Sequence, residues 1–210
     1  DDYSAFGQNL VTHPDSVIGI GPIRQWILDN FSDDIIFMVD DDVTHVWCHT
    51  GLTGYRIADP ATIMQVIGNA ANITCDLGLH LFGFAQYWDV RKYKPSDPFL
   101  LNMWFGGAIG FIGRDPRMRY SANLLRADID YCLQSLLHYR IVFQESRFAF
   151  VHQRFGATGG NSANRSAGRD NSEIDGILRK WKKYVCLSDR NQTRYLKIDV
   201  PRKQTITIKE

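Results

Sequence analysis

Ile35-Ile36-Phe37-Met38-Val39-Asp40-Asp41-Asp42-Val43 sets five apolar residues directly against three aspartates. A short continuous apolar run predicts a buried strand. Three adjacent carboxylates repel one another and are costly to desolvate, so at the lip of such a strand they need solvent or a compensating cation. Hard oxygen donors suit Mg²⁺ or Mn²⁺, which complete their shells with water and substrate phosphates. The plainer reading, a solvated acidic turn, is weakened by the apolar run that precedes it.

The chain has 210 residues, 44% of them hydrophobic and 22% charged. That is enough for one domain, 1–210, with a sizeable core, and the composition excludes disordered and fibrous classes. No apolar run reaches the roughly 18 residues of a membrane span, and no charged-then-apolar leader opens the sequence, so a cytoplasmic protein is expected. Cys48, Cys75, Cys132 and Cys186 lie far apart, three of them in apolar or helical contexts typical of reduced, buried thiols. A disulfide framework is not expected. His45, Cys48 and His49 match no standard zinc spacing. Asn72-Ile73-Thr74 and Asn191-Gln192-Thr193 are glycosylation sequons in form, and read as chance in a chain without a secretory signal.

Net charge is +1 but unevenly spread: residues 1–50 carry one Lys/Arg against nine Asp/Glu, and residues 154–210 carry thirteen against six. A basic C-terminal part beside an acidic metal centre suits a polyanionic ligand, a nucleoside diphosphate or a nucleic-acid backbone. A solvated basic surface explains the same counts.

Taken in order, residues 1–16 form an irregular start. Pro22 at a first helical position, with Ile23, Trp26 and Ile27 at helical spacing, predicts a helix to Asn30. Its N-terminus and Arg24 can face a phosphate, or Arg24 is simply a surface arginine. Thr44 to Ile57 reads as loop with at most a short strand. Asp59 caps a second helix with Pro60 at its first position, and 79–85 is a strand in which His80 is a satisfied partner. Residues 86–99 interleave aromatics with Arg91, Lys92 and Lys94, which stack a base or sugar or pack on themselves. Gly106, Gly107 and Gly110 lie in a strand-like pattern and mark close approach by a ligand or by another element. Ala127 opens a third helix with Asp128 at its N-terminus, where a carboxylate is a favourable cap and also a rigidly held base. Two short strands follow at 140–144 and 147–151. Residues 154–170, rich in glycine, serine and arginine, read as a flexible lid-like segment whose amides, Arg165 and Arg169 can wrap a diphosphate. Asn171 or Ser172 caps a last helix, and the tail, 185–210, alternates as terminal strands.

Strands alternating with helices, Asp-x-Asp at a strand end, Gly-Gly-Ala-x-Gly, and an aspartate opening a later helix resemble, in that order, a GT-A glycosyltransferase. The resemblance runs from about Val17 to Tyr184. More narrowly, Phe-x-Val-Asp-Asp-Asp, Leu-Phe-Gly-Phe, Gly-Gly-Ala-Ile-Gly and Asp-x-Asp-Tyr-x-Leu-Gln are similar to the glycosyltransferases of base J and bacteriophage hydroxymethyl-pyrimidine DNA modification. The resemblance implies an α/β fold, a GT-A-like (Rossmann-like) mixed sheet flanked by helices. It makes Asp40 and Asp42 metal-motif acids, His152 a third metal contact, and Asp41 a partner of the donor's ribose or sugar. Gly106, Gly107 and Ala108 would line the donor-sugar pocket, and Asp128 would be the catalytic carboxylate.

Two features depart from the family. Ala127 stands where many members have a second acid, and the opening nucleotide-contacting strand is not found from Asp1 on, so either the chain is truncated or the nucleotide pocket is built differently. The implied activity is transfer of a sugar, with Mn²⁺ or Mg²⁺, from a UDP-sugar to a hydroxyl, for which a hydroxymethylated pyrimidine in DNA is one candidate. The alternatives are a two-metal nucleotidyl- or phosphotransferase and an inactive nucleotide- and metal-binding module.

Overall fold

The computed structural model describes residues 10–121, 126–152, 167–190 and 193–200. Helix α1 (Ile20–Asn30) leads into strand β1 (Ile35–Val39), then β2 (Val43–His49), β3 (Gly54–Ile57) and α2 (Pro60–Asp76). Strands β4 (Leu81–Ala85), β5 (Phe99–Leu100) and β6 (Ala108–Ile112) follow, then α3 (Ala127–Tyr139), β7 (Phe143–His152), α4 (Ala167–Trp181) and a hairpin of β8 (Val185–Arg190) with β9 (Thr193–Ile198). The main sheet runs β1-β6-β4-β7-β2-β3, with β5 also on β7. Among the described residues only β4 and β7 pair parallel, so the sheet is mixed.

Alternating side chains feed two cores, as a sheet covered on both faces requires. Phe82, Phe84, Phe143 and Phe150 pack with Val66, Ala70 and Ala71 of α2. Leu81, Ile109 and Phe111 face α1, α3 and α4 through Leu28, Leu133, Leu136, Ile174 and Ile177. Two strand glycines make this possible: the Phe82 ring lies where a side chain on Gly110 would be, and Phe105 does the same over Gly83.

Several expectations are corrected. The run 35–39 is an edge strand: β1 pairs with β6 alone among the described residues, Met38 is buried, and Ile35 and Val39 are exposed. Thr44 to Ile57 is no loop but the β2–β3 hairpin, closed by Thr50 N–H donating to the Thr53 carbonyl at 3.0 Å. The expected pair at 140–151 is one strand with a bulge. Glu145, Ser146 and Arg147 look like a break because they are polar, but Glu145 accepts from the Arg147 backbone and guanidinium, and Ser146 N–H donates to the Pro98 carbonyl. Helix α1 starts at Ile20 rather than Pro22, which costs nothing because the first-turn N–H groups have no helical acceptor. Helix α4 starts at Ala167, ahead of Asn171. Loop 86–99 packs on β2, with Trp88 against Trp47 and Tyr93 stacked on His49. Of the four free cysteines only Cys48 and Cys132 are buried, since Cys75 lies on the exposed face of α2. No described helix is long and apolar enough to cross a membrane.

His80 and Asp130 are buried polar groups that are paired. His80 Nδ1–H donates to the Ile112 carbonyl at 2.8 Å and the Tyr131 hydroxyl donates to Nε2 at 3.1 Å, the satisfied partner expected. Burial pushes the His80 imidazole below its usual range, against the pull of the Ile112 bond. Asp130 accepts from Ser121, Gln134 and Trp181 and pairs with Lys180 at 2.6 Å, joining α3 to α4.

Two outcomes follow. Gly110→Ala, which forces the Phe82 ring aside, costs about 1–3 kcal/mol in urea unfolding. For His80, the unfolded ring takes up a proton near pH 6.5 while the folded one resists, so stability is present above that value and is lost as pH falls through it toward the lower native pKa. Thermal melts between about pH 7.5 and about pH 5 show this loss, and His80→Gln reduces it.

Candidate metal and base site

The site lies where four strand ends meet. The turn Asp40–Asp42 leaves β1 and enters β2, and Asp40 N–H donates to the Gly107 carbonyl at 2.7 Å. Val43, the first residue of β2, pairs with His152, the last of β7. One ligand atom each from Asp40, Asp42 and His152 falls within a 4.8 Å group. His152 Nδ1 is 2.8 Å from Asp42 Oδ1, and its Nε2 is buried without a hydrogen-bond partner. A 2.8 Å separation is a hydrogen bond when Nδ1 carries a proton. It is also close to the edge of a coordination octahedron with bonds of about 2.1 Å. Two carboxylates and one imidazole fit a divalent cation, and the imidazole favours Mn²⁺ over Mg²⁺.

Gly106 and Gly107 form the floor beside this trio. Gly107 has φ +76°, and a Cβ on it would collide with the His152 ring. A Cβ on Gly106 would collide with Asp128 Oδ2. The glycines therefore let two of the protein's own side chains close in from opposite sides, which settles the open question of what approaches them. Gln86 fixes the floor by donating to the Gly106 carbonyl at 2.6 Å.

Asp128 is the second residue of α3, where the helix dipole favours a carboxylate. Part of it still reaches solvent, yet surrounding protein pushes its carboxyl above the usual range, with Arg24 the main opposing influence. Arg24 itself is buried, and its guanidinium donates to Asp40 Oδ1 at 2.5 Å. Burial works against its charge, but Tyr120, Asp40 and Asp128 together hold it firmly protonated. Beneath it the Tyr120 hydroxyl is buried without a partner, and the ring stacks on Tyr131 at 4.4 Å.

Asp40, Asp42, His152, Gly106, Gly107 and Asp128, far apart in the sequence, are brought together. Arg24 converges too, but buried: it orients Asp40 and neutralises the acids, whereas a ligand phosphate needs an exposed cation. Ala108 is corrected, since its methyl group is buried in the α2-side core and only its backbone borders the floor. Asp41 is exposed at the turn. Arg165 lies outside the described residues, and Arg169 falls in α4 with its side chain outside them. Gln86 and Tyr120 were missed. Gln86 carries the same signal as the aspartates, a polar residue at the end of an apolar strand, while nothing local distinguishes Tyr120.

The chain matches no protein-family model, no curated protein and no solved structure.

His152→Ala and Asp42→Asn are each expected to weaken Mn²⁺ binding by about tenfold or more in calorimetry. The folded fraction without metal, read by circular dichroism, should stay near that of the unaltered protein.

Proposed function

We propose that this chain is a metal-dependent glycosyltransferase that moves a sugar from a nucleoside-diphosphate sugar to a hydroxyl. The observation that carries the reading is the pairing of a cation-fitting trio and a carboxyl of raised pKa, brought together over two glycines that admit Asp128 and His152. A purely structural cation site does not need the second feature. The resemblance to GT-A enzymes, with UDP-glucose or a similar donor and a hydroxymethylated pyrimidine of phage-type DNA as acceptor, is the finer form of the proposal. A base in duplex DNA would have to be flipped out to reach Asp128. Free thiols are compatible with a cytoplasmic setting, that of the host cell if the protein is viral.

Mn²⁺ or Mg²⁺ held by Asp40, Asp42 and His152 would offset charge developing on the departing diphosphate. Asp128, once ionised, accepts the proton of the acceptor hydroxyl. The oxygen then bonds to the anomeric carbon as the bond from that carbon to the diphosphate oxygen breaks, with inversion. The missing side chains at Gly106 and Gly107 let Asp128 and His152 close onto the backbone between them, which brings the base and the cation-fitting trio next to one another. Arg24 sets the balance: near enough to keep Asp128 ionisable, but committed to Asp40, so that the carboxylate retains basicity. Because Asp128 is raised, the acid limb of activity sits above the ordinary carboxylate value of about 3.9.

The test is a screen of UDP-, GDP- and ADP-sugars with Mn²⁺, scoring nucleoside diphosphate release with and without modified DNA. Asp128→Asn should cut transfer by about 10²- to 10⁴-fold while leaving donor binding in place. The same variant should raise the melting temperature at neutral pH, because it removes a charge that folding disfavours. Full transfer by Asp128→Asn refutes the base assignment, and metal-dependent donor binding with no turnover under any acceptor makes the chain a binding module instead.

A further inference from the structure

A cleft of about 290 Å³ opens beside the acid turn, on the side of the sheet that α2 covers. Its floor is apolar, made by Val46, Ile57, Ile63 and Phe150. One end is closed by Val39 and Val43, the two residues that bracket Asp40–Asp42, so the cleft and the cation-fitting trio share a wall. Arg56 and His45 stand on the rim. Arg56 is exposed and makes no ion pair among the described residues, and burial together with the Arg56 charge keeps His45 below its usual range.

The order of contacts fixes a direction. Val43 pairs with His152, the His152 ring lies on Gly107, and Gly106 lies against Asp128. Cleft, trio, glycine floor and carboxylate are therefore successive neighbours: the cleft borders the acid turn through Val39 and Val43, and Asp128 borders the glycine floor. In a transfer reaction the migrating sugar must sit beside the base. The other end of the same donor must then lie on the far side of the diphosphate. Apolar walls suit the faces of a planar ring better than a sugar, which requires convergent hydrogen-bond partners. The volume is at the lower limit of small-molecule pockets, roughly 300–1,000 Å³, enough for a base and pentose but not for a whole nucleotide sugar. A free arginine on the rim complements phosphate charge.

We propose that the cleft between β2, β3 and the first turn of α2 holds the nucleoside of a nucleoside diphosphate whose phosphates lie at Asp40–Asp42, with Arg56 as the cation flanking them. This rests on the glycosyltransferase reading for its direction.

The experiment is calorimetric titration of the full chain with UDP, ADP and GDP, and with inorganic pyrophosphate, all in Mn²⁺. Ala58 lines the cleft and is exposed, so Ala58→Trp fills the space without entering the core. That variant should lose about tenfold or more in affinity for the preferred nucleoside diphosphate, with Mn²⁺ and pyrophosphate affinities changed less than about twofold. Arg56→Glu should weaken the nucleoside diphosphate by about tenfold at low salt, and less as salt rises. Nucleoside diphosphate affinity unchanged in both variants overturns the proposal, as does equal loss of pyrophosphate in Ala58→Trp. If the unaltered chain binds Mn²⁺ and pyrophosphate but no nucleoside diphosphate gains affinity over pyrophosphate, the cleft assignment fails while the metal site stands. If it binds neither, the glycosyltransferase reading fails and the assignment falls with it.

Discussion

Strands β1 and β2 follow one another in the chain but are separated in the sheet by β6, β4 and β7. Three aspartates make that connection, and the architecture depends on their crossing. A connection this short can pass only across the end of the sheet, and it does so because β4 stops at Ala85, leaving the start of β6 and the end of β7 to meet beneath the turn. Asp40 is then tied to Gly107 through its backbone, and Val43 is tied to His152. The crossing forces the carboxylates together. Arg24 meets their repulsion through its bond to Asp40, and the same crowding of carboxylates beside His152 gives the turn a donor set that fits a cation.

The helical layer is fastened so that it can present Asp128. Asp128 and Asp130 are two residues apart in α3, which at about 100° per residue puts them on opposed faces. One looks onto the glycine floor. The other is fully buried and accepts from four different side chains, which bind α3 to the segment before it and to α4. At the far end, Arg117 and the Tyr139 hydroxyl both donate to Asp115, whose carboxyl they hold well below the ordinary range. Satisfied buried carboxylates of this kind hold position more than they add stability. Here the position held is that of the carboxylate at the start of the helix.

What could be read from the chain follows the range of the forces involved. The acid triplet after an apolar run, the Asp59-Pro60 start of α2 and the stripe of α3 are local patterns, and each was legible. That β1 is an edge was not, because edge status depends on which distant strands pair. The β2–β3 hairpin was hidden by Thr44, His45 and Trp47, whose polar or aromatic side chains mask an alternation carried only by Val46 and Cys48, with Val43 out of phase across the irregularity between Val43 and His45. Arg24 looked like a surface cation because nothing local shows that Asp40 will be placed on top of it. The glycines were legible as close approaches, and the partners were not, since Phe82, Phe105, Asp128 and His152 arrive from elsewhere in the fold.

The bulge in β7 carries a consequence of parity. Between its pairings with Phe84 and Ala85 of β4, β7 advances from Glu145 to Ala149, three residues more than a regular ladder. An odd number of extra residues reverses which side of the strand even-numbered positions occupy. Phe143 before the bulge and Phe148 and Phe150 after it accordingly share the α2-side core, although their numbers differ in parity. His152 inherits the second phase. In an unbroken strand begun at Phe143, its imidazole would emerge on the opposite face, away from the position beside Asp42. The polar triplet Glu145-Ser146-Arg147, far from the acids in sequence, thus acts as a phase shifter, and insertions or deletions there matter to the grouping of Asp40, Asp42 and His152 by whether they are odd or even.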